Sequence, residues 1–395
     1  MRVLLLAEQL RRRVPGGIGT YVRGLVQGLA ALPPPSPDLT LWASHGPRGG
    51  TDPLVTLGRP LLTSALPSRV LVWAWDRGKA APPEGFDVVH APSLALPPPP
   101  SDGAPLAVTV HDLAWRRVPD AFPPRGRRWH EAALGRALAR STVLVVPSSE
   151  TADDLLAAGA PASRVEVVPE GCDHLPPPDR PGATSLLARL GVDGGVGAEG
   201  GYLLTVSTLE PRKNLARLVA AYQAARPNLP GAWPLVVVGP AGWGDALGRA
   251  PRPEGVVLAG KVEGAVLAGL YAGARLVVSV PLVEGFGLPA VEPMGFGVPV
   301  VASPIPSTGG AAYTVDPADV HAIAGALVRA GTDEALRAEL AAAGRARAAT
   351  LTWATAAARH AEIWASLRTG SVSERRSGSV PERRPGSVPE RRRRL

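Results

Sequence analysis

Two glutamates frame a short glycine-containing segment in the second half of the chain. Glu284 and Glu292 begin and end the stretch EGFGLPAVE. Gly285 and Gly287 carry no side-chain bulk, and Leu288 with the proline after it predicts a helix start, where proline is tolerated. A glycine loop before a helix start presents free backbone N–H groups and the positive end of the helix dipole, which together bind anions. Because a carboxylate would repel a bound phosphate, each glutamate is better suited to accept hydrogen bonds from neighbouring hydroxyl groups.

The residues before this segment place it at the edge of a sheet. Residues 276–281 (LVVSVP) are apolar and β-branched, which is typical of a buried parallel strand. Open α/β sheets bind ligands outside the carboxyl ends of their strands. We therefore predict a nucleotide-sugar site, with the diphosphate at the glycine loop and a sugar and a ribose at the two glutamates. A glutamate that only caps its own helix would explain Glu284, but not its pairing with Glu292 and the glycines.

Two cations stand before another predicted helix, residues 215–225. Arg212 and Lys213 belong to the sequence EPRKN, and Lys213 is one of only three lysines in the chain. Positive side chains at a helix start oppose its dipole unless an anion is bound there. The pair therefore indicates a second group that binds the same anionic ligand.

These segments resemble the retaining GT-B glycosyltransferases of family four, and the resemblance covers most of residues 1–368. It implies an α/β fold of two Rossmann-like domains, each a doubly wound parallel sheet, facing a central cleft. It also implies that Glu284 contacts the donor sugar, that Glu292 contacts the ribose, and that the amides of Gly287 and Leu288 meet the diphosphate. Lys213 and Arg212 would neutralise that diphosphate.

A second glycine loop follows the first predicted strand. Gly16, Gly17 and Gly19 precede a helix predicted over residues 20–32, although the third glycine of the dinucleotide fingerprint is missing. The resemblance implies that this loop lies against the donor phosphate and the acceptor. A flexible surface turn is the alternative interpretation.

Two histidines end neighbouring predicted strands in the first half of the chain. His111 follows residues 106–110 in the sequence TVHDL, which is similar to the family's V-x-H-D motif. The resemblance implies that His111 reaches the donor sugar near the reacting centre. His90 lacks such a context, and we interpret it as structural.

Some positions depart from the family pattern. Pro293 stands where the family usually has alanine, which predicts a short or bent helix. Glu170 stands where the family commonly has asparagine, and the family's proline–glutamate pair is missing from residues 303–314. Residues 206–208 lack an arginine that some relatives carry. A non-catalytic scaffold that binds nucleotide sugars would tolerate these departures and stays open as an alternative.

The length of the chain and its composition shifts predict the domain organisation. We expect an N-terminal domain over residues 1–184, a C-terminal domain over residues 185–352 and a terminal helix over 353–368 that crosses back onto the first domain. Residues 176–182 would be the linker. Residues 370–395 repeat with a period of eight and lack apolar periodicity, which predicts a disordered basic tail. Residues 70–75 are interpreted as a further strand.

Composition limits the classes of function. The net charge is +8, but the tail alone holds eight arginines against three glutamates, so the body is not a polycation of the nucleic-acid-binding kind. The single cysteine, Cys172, excludes an intramolecular disulfide, and no residue spacing indicates a metal site. We expect no metal and no cofactor beyond the co-substrate, a nucleotide-diphosphate sugar such as GDP-mannose or a UDP-sugar. Without a signal-peptide core or membrane span, we expect a cytoplasmic protein.

A predicted helix over residues 123–139 carries several arginines along its length. We favour a solvated basic face. The alternative is contact with anionic lipid head groups at the inner membrane face or with an acidic acceptor.

The sequence therefore predicts a metal-independent retaining glycosyltransferase, with mannose the leading sugar. Its acceptor would be a glycan, a lipid-linked molecule or a small molecule. A GT-B nucleotide-sugar hydrolase or epimerase is a further alternative, because it would use the same donor site.

Overall fold

Thirteen short strands form two parallel sheets in the computed structural model, which describes residues 1–46, 52–192, 201–244, 246 and 253–369. The strands of the first sheet are β1 (Arg2–Leu6), β2 (Asp38–Ala43), β3 (Leu61–Thr63), β4 (Val88–Ala91), β5 (Leu106–Thr109), β6 (Val143–Val146) and β7 (Val165–Val167). Those of the second are β8 (Leu203–Val206), β9 (Leu235–Val238), β10 (Val256–Gly260), β11 (Leu276–Ser279), β12 (Val300–Ala302) and β13 (Tyr313–Thr314).

Both sheets have the strand order of a Rossmann-like fold. The first runs β3-β2-β1-β4-β5-β6-β7 and the second β10-β9-β8-β11-β12-β13, with neighbouring strands parallel throughout. In each sheet the order reverses beside the first strand, between β1 and β4 and between β8 and β11. Such switch points open a crevice at the carboxyl ends of the strands. The predicted pair of doubly wound α/β domains is confirmed.

Helices connect the strands and cover the sheets. They are α1 (Gly16–Ala30), α2 (Ser68–Asp76), α3 (Ala114–Arg117), α4 (Pro124–Arg140), α5 (Ser149–Ala157), α6 (Arg180–Arg189), α7 (Leu215–Ala225), α8 (Gly264–Gly273), α9 (Leu288–Gly295), α10 (Val320–Thr332), α11 (Glu334–Ala349) and α12 (Trp353–Arg368). Several begin at side-chain caps: Ser148 accepts a hydrogen bond from the Thr151 amide at α5, and Asp319 does the same for Ala322 at α10. These caps satisfy amides that have no acceptor within the helix.

Each sheet separates two apolar layers. Along β1, Val3 and Leu5 face the layer that contains α1 and α12, whereas Leu4 and Leu6 face the layer under α2 and α4. This alternation follows from the two-residue period of a strand. Because both faces are covered, the strands read as continuous apolar runs, which is why most of them were predictable.

Helix α12 packs against α1 of the first domain. A Cβ on Gly28 would lie 2.1 Å from the carbonyl oxygen of Trp353, and a Cβ on Gly24 would overlap the Trp353 ring. The two helices approach closely because these positions of α1 have no side chain. Trp353 and Trp364 are both buried in the cluster that contains α1.

The two places where the chain crosses between the sheets lie side by side. The amide of Cys172 donates to the carbonyl of Leu351 at 2.9 Å, and the amide of Trp353 donates to the carboxylate of Asp173 at 2.8 Å. The segment that leaves the first domain is thus hydrogen-bonded to the segment that returns to it. The predicted boundary at residue 185 falls within α6, whose Ala183 and Leu187 pack in a core layer of the second sheet.

Two local predictions were wrong. Residues 70–75 are helical, as part of α2, because Leu71, Ala74 and Trp75 face the core at helical spacing. A short apolar run cannot distinguish a buried helix from a strand by periodicity alone. Helix α1 begins at Gly16, so the three predicted glycines form its first turn and do not precede it. The predicted disordered tail lies outside the described residues. Within those residues, no helix is both long enough and apolar enough to span a bilayer.

Candidate active site

The predicted site residues of the second domain lie at its switch point. Arg212 and Lys213 follow β8, and Glu284 follows β11, the neighbouring strand. The carboxyl ends of these strands meet at the same edge, so residues far apart in sequence come together. Nζ of Lys213 lies 2.6 Å from Oε2 of Glu284, and Nη1 of Arg212 lies 3.2 Å from the same oxygen. The sequence predicts that these side chains share one site but not that they pair.

Two further carboxylates surround Arg212. Its guanidinium lies 2.9 Å from Glu210 and 3.7 Å from Asp112, which belongs to the first domain. Burial alone would lower the pKa of Arg212, but Glu284, Asp112 and Glu210 override that effect and raise it. Arg212 is therefore a permanent cation held between the two domains.

The pKa values of Glu284 and Glu210 shift in opposite directions. Burial alone would raise the pKa of Glu284, but Lys213 and Arg212 lower it below its usual value. Burial raises the pKa of Glu210, and the two cations offset this only in part. Glu284 is consequently held ionised, with both cations directed at it.

A helix start lies beside these charges. Gly287 has a φ of +91°, a conformation that L side chains rarely adopt, and it directly precedes α9. Leu288 is the first residue of α9, so its amide has no acceptor within the helix. Pro293 lies inside α9, which ends at Gly295 after eight residues. The loop that carries Glu284 and its two cations therefore leads into a helix start with free amides, and anion binding there stays a prediction.

His111 lies on the opposite wall with both ring nitrogens engaged. Nδ1 lies 3.0 Å from Oε1 of Glu170, and Nε2 lies 3.0 Å from the carbonyl oxygen of Pro92. Burial alone would lower the pKa of His111, but the hydrogen bond and charge of Glu170 raise it. Because both partners are acceptors, the ring satisfies both contacts when both nitrogens carry protons. The edge of Tyr21 packs on it, with ring centroids 4.9 Å apart.

Besides the contact of Arg212 with Asp112, the walls of the cleft touch at further places. A Cβ on Gly285 would lie 1.8 Å from the carbonyl oxygen of His111, so only glycine permits this approach. Further along, Nε1 of Trp243 donates to the carbonyl of Ala121 at 3.2 Å. These contacts bring the histidine of the first domain next to the glutamate loop of the second.

The three glycines of the first turn of α1 differ in their surroundings. A Cβ at Gly16 or Gly17 would meet nothing within 4 Å, so these two positions border open space. A Cβ at Gly19 would lie 2.4 Å from the side chain of Pro15. Gly19 thus allows the turn to pack, whereas Gly16 and Gly17 leave room at the helix start. Tyr21 in the next turn connects this region to His111.

Glu292 lies one turn into α9 and is almost fully buried. Tyr271 donates its hydroxyl to Oε2 at 2.8 Å, and Nε2 of His174 lies 3.2 Å from Oε1. Its carboxylate is therefore held by two donors from different parts of the chain.

The site contains several residues whose contacts the sequence does not predict. They are Asp112, Glu170, His174, Glu210 and Tyr271. The contact of Gly285 with the first domain is also not predicted. Glu170 could have been found from its departure from the family pattern, and Asp112 and Glu210 lie within motifs already identified. His174 and Tyr271 gave no indication in the sequence. Among the described residues, no group of three or more His, Cys, Asp or Glu side chains is placed to hold a metal.

Comparison with known proteins adds to this geometry. One family model, Glycosyltransferase Family 4, matches residues 15–174, and another, Glycosyl transferases group 1, matches residues 200–333. The chain is 30% identical over 281 residues to O-antigen chain mannosyltransferase B of Escherichia coli, covering 67% of this chain and 71% of that protein.

Solved structures match over nearly the whole chain. Anabaena HepE in complex with UDP-glucose aligns with a TM-score of 0.67 and 19% identity, covering 93% of this chain and 100% of that one. Sucrose-phosphate synthase from Thermosynechococcus elongatus aligns with a TM-score of 0.68 and 19% identity, covering 94% and 100%. Two Rossmann-like domains around a cleft that holds Arg212 and Lys213, together with these matches, define a GT-B glycosyltransferase that uses a nucleotide sugar. The chain belongs to glycosyltransferase family 4, with a group 1 domain in its second half.

Proposed function

We propose that this enzyme transfers a hexosyl group, with mannose the leading candidate, from a nucleotide-diphosphate sugar to an acceptor hydroxyl with retention of configuration. The observation that carries the proposal is the convergence of Arg212 and Lys213 beside the free amides at the start of α9. Cations and helix amides at one point match the charge of a diphosphate.

The same groups would stabilise the leaving group. As the glycosidic bond breaks, negative charge grows on the departing diphosphate, and Lys213 and Arg212 can offset it. This supports a reaction in which protein cations supply the charge neutralisation that a metal ion supplies elsewhere. We therefore propose metal-independent transfer.

Donor binding would exchange the partners of Glu284. Lys213 and Arg212 both contact one oxygen of this carboxylate, and a diphosphate would compete for them. Once released, Glu284 can accept hydrogen bonds from the sugar hydroxyls. This exchange reconciles the roles predicted from sequence with the observed ion pairs.

Retention would follow from attack on the face that the diphosphate leaves. The bond between the anomeric carbon and the phosphate oxygen breaks, and the bond to the acceptor oxygen forms on the same side. The acceptor proton passes to the departing phosphate oxygen. His111, held by Glu170 and Pro92, would contribute positive charge near this centre.

Relatives point to the substrates. The mannosyltransferase named above supports a mannosyl donor such as GDP-mannose and a glycan acceptor, whereas HepE with UDP-glucose supports a UDP-sugar. Lipid-linked and small-molecule acceptors remain in the proposal.

A panel of nucleotide sugars tests the proposal. Thermal shift should identify one donor, because a ligand that binds the native state stabilises it. Product analysis with that donor should then show an acceptor-dependent glycoside of retained anomeric configuration. Donor consumption that needs no acceptor would support the hydrolase or epimerase alternative, and binding without turnover would support the scaffold.

We further propose a cytoplasmic enzyme with peripheral contact to anionic membrane through α2 and α4. Arg125 and Arg128 are exposed on α4, and Trp73 on α2 is 50% exposed with the Arg77 guanidinium 3.9 Å from its ring centroid. Amphipathic aromatic and basic side chains suit a lipid interface. The wild-type protein should float with phosphatidylglycerol vesicles but not with phosphatidylcholine vesicles. Equal flotation with both, or with neither, would contradict this.

A further inference from the structure

His174 is a histidine at the junction of the two domains to which neither the sequence nor the proposed reaction assigns a role. Its side chain is 14% exposed. Nε2 lies 3.2 Å from Oε1 of Glu292 on α9, and Nδ1 lies 3.3 Å from Nε1 of Trp353, the first residue of α12. His174 thus joins the segment that leaves the first domain, the helix that returns to it and a carboxylate of the second domain.

Hydrogen-bond chemistry gives these contacts a direction. An indole N–H only donates, so Nδ1 of His174 accepts from Trp353, and the ring proton resides on Nε2. Burial alone would lower the pKa of His174, but the hydrogen bond and charge of Glu292, with the charges of Glu170 and Asp173, raise it overall. A second proton, on Nδ1, would point at the indole N–H of Trp353, so this contact disfavours the doubly protonated ring. In either protonation state Nε2 donates to Glu292.

The two donors leave Glu292 able to bind a ligand. An ionised carboxylate has about four acceptor positions, and His174 and Tyr271 each use one, on different oxygens. The remaining positions can accept ribose hydroxyls while the side chain is already fixed. Fixing a flexible glutamate before binding lowers the entropic cost of association.

We propose that His174 is a positioning residue for the nucleotide, which orients Glu292 and ties that orientation to the crossing between the domains. This inference rests on the proposed ribose contact of Glu292. Trp353 holds His174 and also donates its amide to Asp173, while the rest of α12 packs on the first domain. Nucleotide affinity is therefore coupled to the packing of α12.

Calorimetric titration with GDP, and with UDP in parallel, tests the proposal. His174→Leu should weaken the binding of the preferred nucleotide about tenfold, as expected for a lost hydrogen bond to a charged group. His174→Gln keeps an N–H donor and should recover most of the affinity. In steady-state assays His174→Leu should raise KM with little change in kcat, because the ribose is remote from the reacting bond. His321→Leu, an exposed histidine on α10, is the matched control and should bind normally.

A double-mutant cycle separates positioning from general stability. If His174 acts through Glu292, His174→Leu should change affinity less than about twofold in a Glu292→Ala background. Trp353→Phe, which keeps an aromatic ring but loses the indole N–H, should weaken binding in the wild type and not in His174→Leu. If Glu292→Ala weakens nucleotide binding as expected but the effects of His174→Leu and Glu292→Ala are additive, this proposal alone would be overturned. Normal nucleotide binding by Glu292→Ala would overturn both the ribose assignment and this proposal, and a wild-type protein that binds neither nucleotide would overturn the proposed function as well.

Discussion

Lys213 and Glu284 form an ion pair at 2.6 Å across the switch point of the second sheet. The two side chains are similarly buried, with exposed fractions of 14% and 15%. Arg212 shares the same carboxylate oxygen, so one anion holds two cations together. The fold therefore places two cations on one carboxylate, and under the proposed function the oxygens of a diphosphate would take the place of that carboxylate.

Loss of Lys213 should reduce the chemical rate. Only interactions that strengthen in the transition state raise kcat, and charge grows on the diphosphate as the bond breaks. Lys213→Ala should therefore lower kcat by about 10²–10³-fold and also weaken donor binding. Glu292→Ala, remote from the bond, should act more on KM. Steady-state kinetics with one donor would measure both, with exposed Lys261→Ala as the control. An increase in KM alone for Lys213→Ala would contradict the leaving-group role.

Neutralising Glu284 should separate binding from turnover. Glu284→Gln releases Lys213 and Arg212 from their ion pair, so free nucleoside diphosphate should bind several-fold more tightly. Turnover should nevertheless fall, because the carboxylate is missing for the sugar hydroxyls. Without ligand, Lys213 loses its partner while Arg212 keeps Glu210 and Asp112, and the free energy of unfolding should fall by about 1–3 kcal/mol. Weaker binding of the diphosphate by Glu284→Gln would argue against the exchange of partners.

The His111–Glu170 pair should make stability depend on pH. Because Glu170 raises the folded-state pKa of His111 above 6.5, the pair's contribution is fully present below about pH 6.5. It is lost as pH rises through the raised folded-state value. Glu170→Gln should therefore be less stable than the wild type by about 1–3 kcal/mol near pH 6, and the difference should narrow at alkaline pH.

Urea unfolding at several pH values would measure this difference. Glu166 lies on β7 and forms a surface pair with Arg359 of α12. Glu166→Gln removes that pair and should change stability little at any pH. A constant difference for Glu170→Gln across the range would show that His111 does not titrate with Glu170.

A methyl group at position 285 should force the domains apart. Because a Cβ there would lie 1.8 Å from a backbone oxygen of His111, Gly285→Ala must shift one wall of the cleft. Scattering should show a larger radius of gyration, and kcat/KM should fall by about 10²-fold if reacting groups move by about 1 Å. Gly135→Ala on the exposed face of α4 meets nothing within 4 Å and should leave both values unchanged. An active, equally compact Gly285→Ala protein would refute the contact.

Activity should withstand chelation. If Arg212 and Lys213 neutralise the diphosphate, excess EDTA should leave initial rates within about twofold of the untreated enzyme. Complete loss of activity with EDTA, and its recovery on addition of Mg²⁺ or Mn²⁺, would show that a metal ion neutralises the diphosphate.

The buried strands were the most predictable part of the fold. Both sheets are covered on two sides, so a strand such as β9 appears as an uninterrupted apolar run bounded by proline and glycine. Helix α7 was predicted at its observed limits, residues 215–225, because its apolar positions repeat at helical spacing. Helix α2 was missed because its apolar run is short and contains two tryptophans.

The pairings within the site could not be predicted in the same way. Glu284 and Lys213 were each recognised from local motifs, but their ion pair depends on β8 and β11 being neighbours, which local sequence does not encode. His174 and Tyr271 both contact Glu292, and Trp353 contacts His174, so these four residues come together from separate parts of the chain. Contacts of this kind depend on how distant segments of the chain are arranged in the fold, so the spacing of residues within a motif does not predict them.

The return of α12 to the first domain has a consequence for biosynthesis. Trp353 and Trp364 fill the layer beside Val22 and Leu25, which lie near the beginning of the chain. The first sheet emerges from the ribosome early, yet this layer stays open until residue 364 has been translated. During that interval its apolar surface is exposed while the second domain is still being made. The nascent first domain thus exposes apolar surface of the kind that chaperones bind, although it is synthesised before the second domain.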